Sequence, residues 1–468
     1  MNLLNKVTKG GLAISPYLRN RCLQYLLLFV SCIAPYSYAA AEKNPPTDTL
    51  FFTATAAAYQ DITQGGTVGD KAADLEQIIK STEAALETNN TVVAMTTVVR
   101  NLPAIFQQIN SPQVQKITAL SLSLYGMEVA QSLLAQAKDQ GDNFSEARIT
   151  FEIAKYHADE AHWVEVVKLL KNATIIESLA KEDAAEANLL MGTALQQQKK
   201  HREAMTYYEK IKPDSAHYRL AQLNFATANI RQDWWTDAHL AIKSALTING
   251  AKKDELDYRL YTVLGFSQIQ YGFYRDARES FRNVAIKSSY TNRALLGLGM
   301  AALHQEDFIG ALSAFNHLRE KQEDEISVAE SYLLGAFALR QLGQHEAALA
   351  SYQEAITYYQ QLEKKQAAAY SKLASRPINL QLNDSIFIRP ESRHNKQLHR
   401  LFEKIGIINN LLAQPLSNSR ANTLTTIKMN LEKNYQTLAQ QLLTKEQESI
   451  QSYLSQSRFG LATLYDGK

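Results

Sequence analysis

The stretch LGQHEAALASYQEAI, residues 342–356, places Gly343, Ala348, Tyr352 and Ala355 at spacings that pair two helices across a turn. Glycine suits the point where a helix ends and reverses. Small residues let helices approach closely, and a bulky residue one turn later fills the space beside them. Four other segments carry the same pattern. The first small residue is Gly192, Ala226, Gly265, Gly299 or Ala336. The second follows twelve residues later, at Ala204, Ala238, Ala277, Ala311 or Ala348. Four residues beyond that stands Tyr208, Ile242, Phe281, Phe315 or Tyr352. The gaps between units are 34, 39, 34 and 37 residues, the mark of a chain of stacked supersecondary units. A sixth, degenerate copy starts at Ala147, with Ala154 in the first position and Val166 in the second.

This pattern resembles the tetratricopeptide repeat family, a helix–turn–helix of about 34 residues with small residues at its eighth and twentieth positions. The resemblance covers 147–357, about six units. It implies an all-α, right-handed superhelical array with helical flanking regions at both ends, and a binding rather than a catalytic role. In that family the first helix of each unit lines a concave groove. Carried across position by position, the groove residues are Leu223, Thr227, Ile230, Arg231, Arg259, Phe266, Ile269, Arg293, Met300, His304, Phe337 and Arg340. Apolar anchors with scattered arginines suit a peptide or helix of a protein partner. The Asn/Lys carboxylate clamp of some family members is not present, since Thr193, Thr227, Phe266, Met300 and Phe337 hold its key position.

Around the array, 71–146 reads as helical, with possible diverged repeats, after a tether at 42–70 that contains NPPTDT and QGGTVGD. A linker is expected at 358–394, where IFIRPESR reads as a short extended segment, and 395–468 returns to helix, broken near AQPLSNS. A terminal cap is expected, because a stacked array otherwise exposes an apolar end. The amphipathic stretch LFEKIGIINNLLA also allows these C-terminal helices to fill the chain's own groove.

Residues 1–41 read as a secretory leader: Arg19 and Arg21, then the short apolar core of CLQYLLLFVSCIAPYSYAAA, then small residues up to a cleavage site after Ala41. FVSC offers an alternative, a lipid anchor on Cys32, and an uncleaved anchor is a third reading. Membrane association is expected only through this terminus. Both cysteines, Cys22 and Cys32, lie in the leader, so the remainder has no thiol chemistry and no cysteine-based metal site. The leader holds four cations and no acid, leaving 45 basic and 47 acidic groups beyond it. That near-neutral balance excludes a general nucleic-acid binder.

No catalytic residue, cofactor or metal site is expected. His157 and His162 in YHADEAHW stand five apart, astride a turn, not at the three-or-four spacing of helical metal ligands. In DWWTDA, Trp235 falls on a core position, and Trp234 on a more exposed one. The expected function is an exported scaffold that binds a segment of an envelope protein. The alternatives are the targeting region of a polysaccharide- or peptidoglycan-processing enzyme, or a membrane-tethered assembly lipoprotein.

Overall fold

The computed structural model describes residues 46–65, 68–72, 74–248, 253–321, 323, 325–374 and 387–466. Among them the chain is all-α. The leader, with both cysteines, lies outside the described residues, as does most of the SRPINLQLNDS stretch. No described helix is long and apolar enough to cross a membrane.

Residues 42–70, expected as a tether, instead contain helix α1 (Pro46–Gln64). Proline is tolerated in the first turn of a helix, where its missing N–H has no partner to lose. The helix buries Phe51, Ala58 and Tyr59, so it belongs to the core.

Eight helical hairpins follow among the described residues. The first four are α2 and α3 (Leu75–Glu87, Thr91–Arg100), then, after the short α4 (Leu102–Gln107), α5 and α6 (Gln113–Ser123, Met127–Asp139), α7 and α8 (Asn143–Asp159, Trp163–Leu170), and, after α9 (Ala173–Glu177), α10 and α11 (Lys181–Gln197, His201–Tyr208). The next four are α12 and α13 (Tyr218–Ile230, Trp235–Ile248), α14 and α15 (Glu255–Tyr271, Tyr274–Arg282), α16 and α17 (Thr291–His304, Phe308–Glu320), and α18 and α19 (Ile326–Gln341, His345–Ala374). The chain ends with α20 (Pro390–Arg393), α21 (Lys396–Leu412) and the 49-residue α22 (Asn418–Asp466).

One turn serves all eight hairpins. Its pivot has a left-handed backbone at Asn89, Tyr125, Ala161, Lys199, Asp233, Gly272, Glu306 and Gly343, with φ between 56° and 84°. The next residue's N–H donates to the carbonyl five residues back at 2.7–3.1 Å, from Asn90 to Ala85 through to Gln344 to Leu339. This is the Schellman closure, which satisfies a carbonyl left over at the helix end.

Seven residues before each pivot a small or compact side chain is buried: Thr82, Thr118, Ala154, Gly192, Ala226, Gly265, Gly299 and Ala336. Twelve residues on, Ala94, Ala130, Val166, Ala204, Ala238, Ala277, Ala311 and Ala348 are all fully buried. The repeat template therefore extends through 71–146, whose helices form two further hairpins. The reason for the small residues is direct. A methyl group at Gly192, Gly265 or Gly299 would collide with the ring of Tyr208, Phe281 or Phe315 respectively.

The chain divides into two compact bodies. The first holds α1, hairpins one to four, and residues 364–448. Its core joins Phe51, Ile78, Val98, Ile117 and Leu133 from the front of the chain to Ile405, Ile408, Leu424 and Leu431 from the back. The described parts of the expected linker are partly helical. Helix α19 runs on to Ala374, and the IFIRPESR segment is not simply extended: Phe387 and Ile388 are buried and Pro390–Arg393 forms one helical turn. Glu446, fully buried, accepts from the backbone N–H of Ile388 and Arg389 and from Gln366 Nε2, each at 3.0 Å.

The second body holds most of hairpins five to eight and residues 449–466. There Gly460 seats on the Tyr352 ring as Gly297 seats on Phe281. The last stretch of α22 therefore takes the place that the first helix of a ninth hairpin would occupy, and closes the array.

Candidate functional site

The expected groove does not assemble as an apolar channel. Leu223, Thr227, Ile230, Phe266, Ile269 and Met300 are at most 4% exposed. Phe266 packs edge-on against Phe281 at 4.9 Å, and the Thr227 hydroxyl donates to the carbonyl of Leu223 in its own helix at 2.8 Å. These six are packing residues, because the face that carries them is covered within the fold.

Arg231, Arg259, Arg293, His304, Phe337 and Arg340 remain half-buried. His304 stacks flat on Tyr274 at 4.6 Å, and burial lowers its pKa from the ordinary histidine value. Arg293 lies close enough to oppose the rise that burial imposes on the Glu325 carboxyl. Arg340 bonds the Tyr352 side chain. Each of these three braces a neighbouring side chain.

One row of exposed aromatic surface runs along the turn edge of hairpins five and six. In hairpins five and six the turn leaves aromatic residues beside its pivot at the surface. Trp234 and Phe273, each directly after a pivot, are 39% and 48% exposed, and Tyr271, directly before one, is 49% exposed. Trp235 is buried, as expected of a core position, and its ring meets Tyr271 at 4.6 Å, while Tyr271 stacks on Phe273 at 5.8 Å. The Tyr274–His304 stack and the 2.8 Å Arg278–Asp307 ion pair carry the edge on to hairpin seven, where Ile309 is 73% exposed. Around these groups stand the exposed acids Asp233, Asp237, Asp276 and Glu306, and the exposed cations Arg275 and Lys243.

In the first body, α21 crosses the corresponding edge and touches it at each of three turns, while Val164, the counterpart of Ile309, stays 56% exposed. Asn410 Nδ2 donates to Thr91 Oγ1, just past the first pivot, at 3.0 Å. The hydroxyl of Tyr125, the second pivot, donates to Glu403 at 2.7 Å. Just before the third pivot, Asp159 pairs with Lys396 at 3.0 Å and Arg400 at 3.5 Å, and Glu160 pairs with Lys404 at 2.8 Å. Lys404 is 3% exposed, also meets Asp48 of α1 at 3.3 Å, and lies 5.5–5.9 Å from the ring centres of Phe51, Phe52 and Tyr125.

Asp48, Glu160 and His162 bring ligand atoms within 4.8 Å of one another, as a metal site would. The Lys404 ammonium already bridges the two carboxylates, so the group reads as an ion-pair hub. His157 and His162 do straddle a turn, with their Nδ1 atoms 3.4 Å apart. A cavity of about 280 Å³ in the same body is lined by Phe52, Tyr59, Met95, Leu102, Phe106 and Tyr125 among others, with Glu128 its only carboxylate.

Sequence reasoning missed both the strap and the edge. The signal for the strap was the basic row Lys396, Arg400, Lys404, four residues apart beside the apolar residues of α21. The signal for the edge was Trp234, Tyr271 and Phe273, aromatic residues beside two successive pivots.

No family model matches the chain, and no curated protein matches it. Among solved structures it is similar to a tetratricopeptide repeat protein from Parabacteroides merdae, at 16% identity and a TM-score of 0.37, over 62% of this chain and 99% of that one. It is also similar to the Cut9–Hcn1 hetero-tetramer of the APC/C, at 12% identity and a TM-score of 0.29, over 89% and 96% of the two chains. The assignment to an all-α array of helix–turn–helix repeats rests on the eight shared turns and their buried small residues.

Proposed function

We propose that this chain is an exported, non-catalytic scaffold that holds another protein, and that the turn edge of hairpins five to seven is its contact surface. The observation that carries the reading is the row of exposed aromatics, Trp234, Tyr271 and Phe273, on adjacent hairpins. Large rigid aromatics dominate the energetics of protein interfaces, because each buries 150–250 Å² with few rotatable bonds. Export and an envelope partner follow from the leader reading. The N-terminal mass of the processed protein distinguishes cleavage after Ala41 from lipid attachment at Cys32.

The test is capture of a partner from an envelope extract, followed by photocrosslinking from position 273. Trp234→Ala with Phe273→Ala is expected to abolish capture while lowering the melting temperature only slightly, since both side chains lie outside the buried core. Capture that survives this pair of changes but is lost on replacing Arg231, Arg259 and Arg293 would return the function to the concave face.

A further inference from the structure

Resting on that reading, we infer that the partner presents a basic amphipathic helix, which lies along the turn edge of the second body as α21 lies along that of the first. The chain itself supplies the template. Helix α21 crosses three consecutive hairpin turns, meeting Thr91, Tyr125 and the Asp159–Glu160 pair in order. It does so with a cationic row, Lys396, Arg400 and Lys404, beside a buried apolar row, Leu398, Ile405, Ile408 and Leu411. Residues four apart share a helix face, so one helix serves both rows at once.

Hairpins five to seven use the same turn, with the same left-handed pivot and the same closing hydrogen bond, so they set out their edge residues at a similar pitch. What they set out is complementary to such a helix. Trp234, Tyr271 and Phe273 offer apolar surface for its buried row. Asp233, Asp237, Asp276 and Glu306 offer charge for its cationic row; of the opposite sign, Arg275 and Lys243 are exposed, Arg231 is half-buried, and Arg278 is already paired with Asp307. An acidic helix would meet four like charges, which costs affinity and on-rate together.

The chain's own strap provides the probe. A labelled peptide with the sequence of Lys396–Leu412 is titrated into the purified full chain. In parallel runs a peptide in which the two lysines and the arginine of the cationic row are replaced by glutamate. Saturable binding of the first peptide is expected, weakened at least about tenfold by Trp234→Ala with Phe273→Ala, as for loss of central aromatic anchors. The acidic peptide should bind at least about tenfold less well, and added salt should weaken the basic one. Binding that ignores Trp234 and Phe273 would mean the peptide is displacing the resident strap, and would overturn the inference. So would equal binding of the two peptides, or none. Should the peptide fail while partner capture still depends on Trp234 and Phe273, the helix is wrong and the interface stands. Should both fail, the interface reading falls as well.

Discussion

Lys404 Nζ lies 2.8 Å from Glu160 Oε2, although 244 residues separate the two in sequence. Both are almost fully buried, and Asp48 completes the site from a third segment. Removing one member of a buried ion pair costs up to about 3–5 kcal/mol, and here Arg400 Nε, 3.5 Å from Glu160 Oε1, still compensates part of the charge. Lys404→Met is therefore expected to lower stability by up to that amount in a urea titration. Adding Asp48→Asn and Glu160→Gln should recover most of the loss. A neutral single variant would refute the hub.

His157 makes the same body sensitive to acid. Burial, and then the neighbouring His162, push its imidazole down to about 4, against an ordinary value of 6.5. Between those two values the unfolded chain binds a proton that the folded chain refuses, so stability falls as pH falls. The effect is roughly 1–3 kcal/mol across that window. His157→Gln should melt with a shallower dependence between pH 6.5 and 4. The buried carboxyls of Glu446 and Glu325 are shifted upward and act in the opposite sense, so the readout is the difference between wild type and variant.

The shared turn invites engineering. Lys199 is exposed and holds φ at 63°, a conformation that costs a side-chain-bearing residue roughly 1 kcal/mol relative to glycine. Lys199→Gly is expected to raise the melting temperature slightly, whereas glycine in a helix interior lowers it. Gly299→Val is the contrary case. The new side chain would enter the Phe315 ring, and a loss of about 2–4 kcal/mol is expected by denaturant titration.

Glu446 anchors the segment at 387–393 through two backbone N–H groups and one side-chain amide. Glu446→Ala strands those donors in the interior, at about 1–3 kcal/mol. The expected sign is faster hydrogen exchange at Ile388 and Arg389, together with new proteolytic cleavage nearby. Unchanged exchange at both amides would show that the segment is held by Phe387 and Ile388 packing alone.

What could be read in the sequence was whatever repeats locally. Five glycine or alanine pairs twelve residues apart identified the hairpins. Two more escaped because Thr82 and Thr118 stand where glycine or alanine was sought. Each threonine hydroxyl donates to its own helix, at Ile78 and Val114, so the side chain stays compact and its polarity is hidden. Had threonine been admitted, Ala94 and Ala130 stood at the right distance. Helix α1 was obscured by Pro46 at one end and Gly65 at the other, which bound a helix and not a tether. The groove failed for another reason. Spacing says which residues share a helix face, but not whether another part of the chain covers that face. The hub was invisible because Asp48, Glu160 and Lys404 form no local pattern.

Gly460 on Tyr352 has a consequence for assembly. A stack of like hairpins has two ends, each a ready surface for the matching end of another molecule, and such head-to-tail contacts do not close on themselves. By laying the tail of α22 where a ninth hairpin would begin, the chain plugs one end. Deleting 449–468 would bare Tyr352 and leave a sticky terminus, so the shortened protein is expected to form open-ended fibres as its concentration rises.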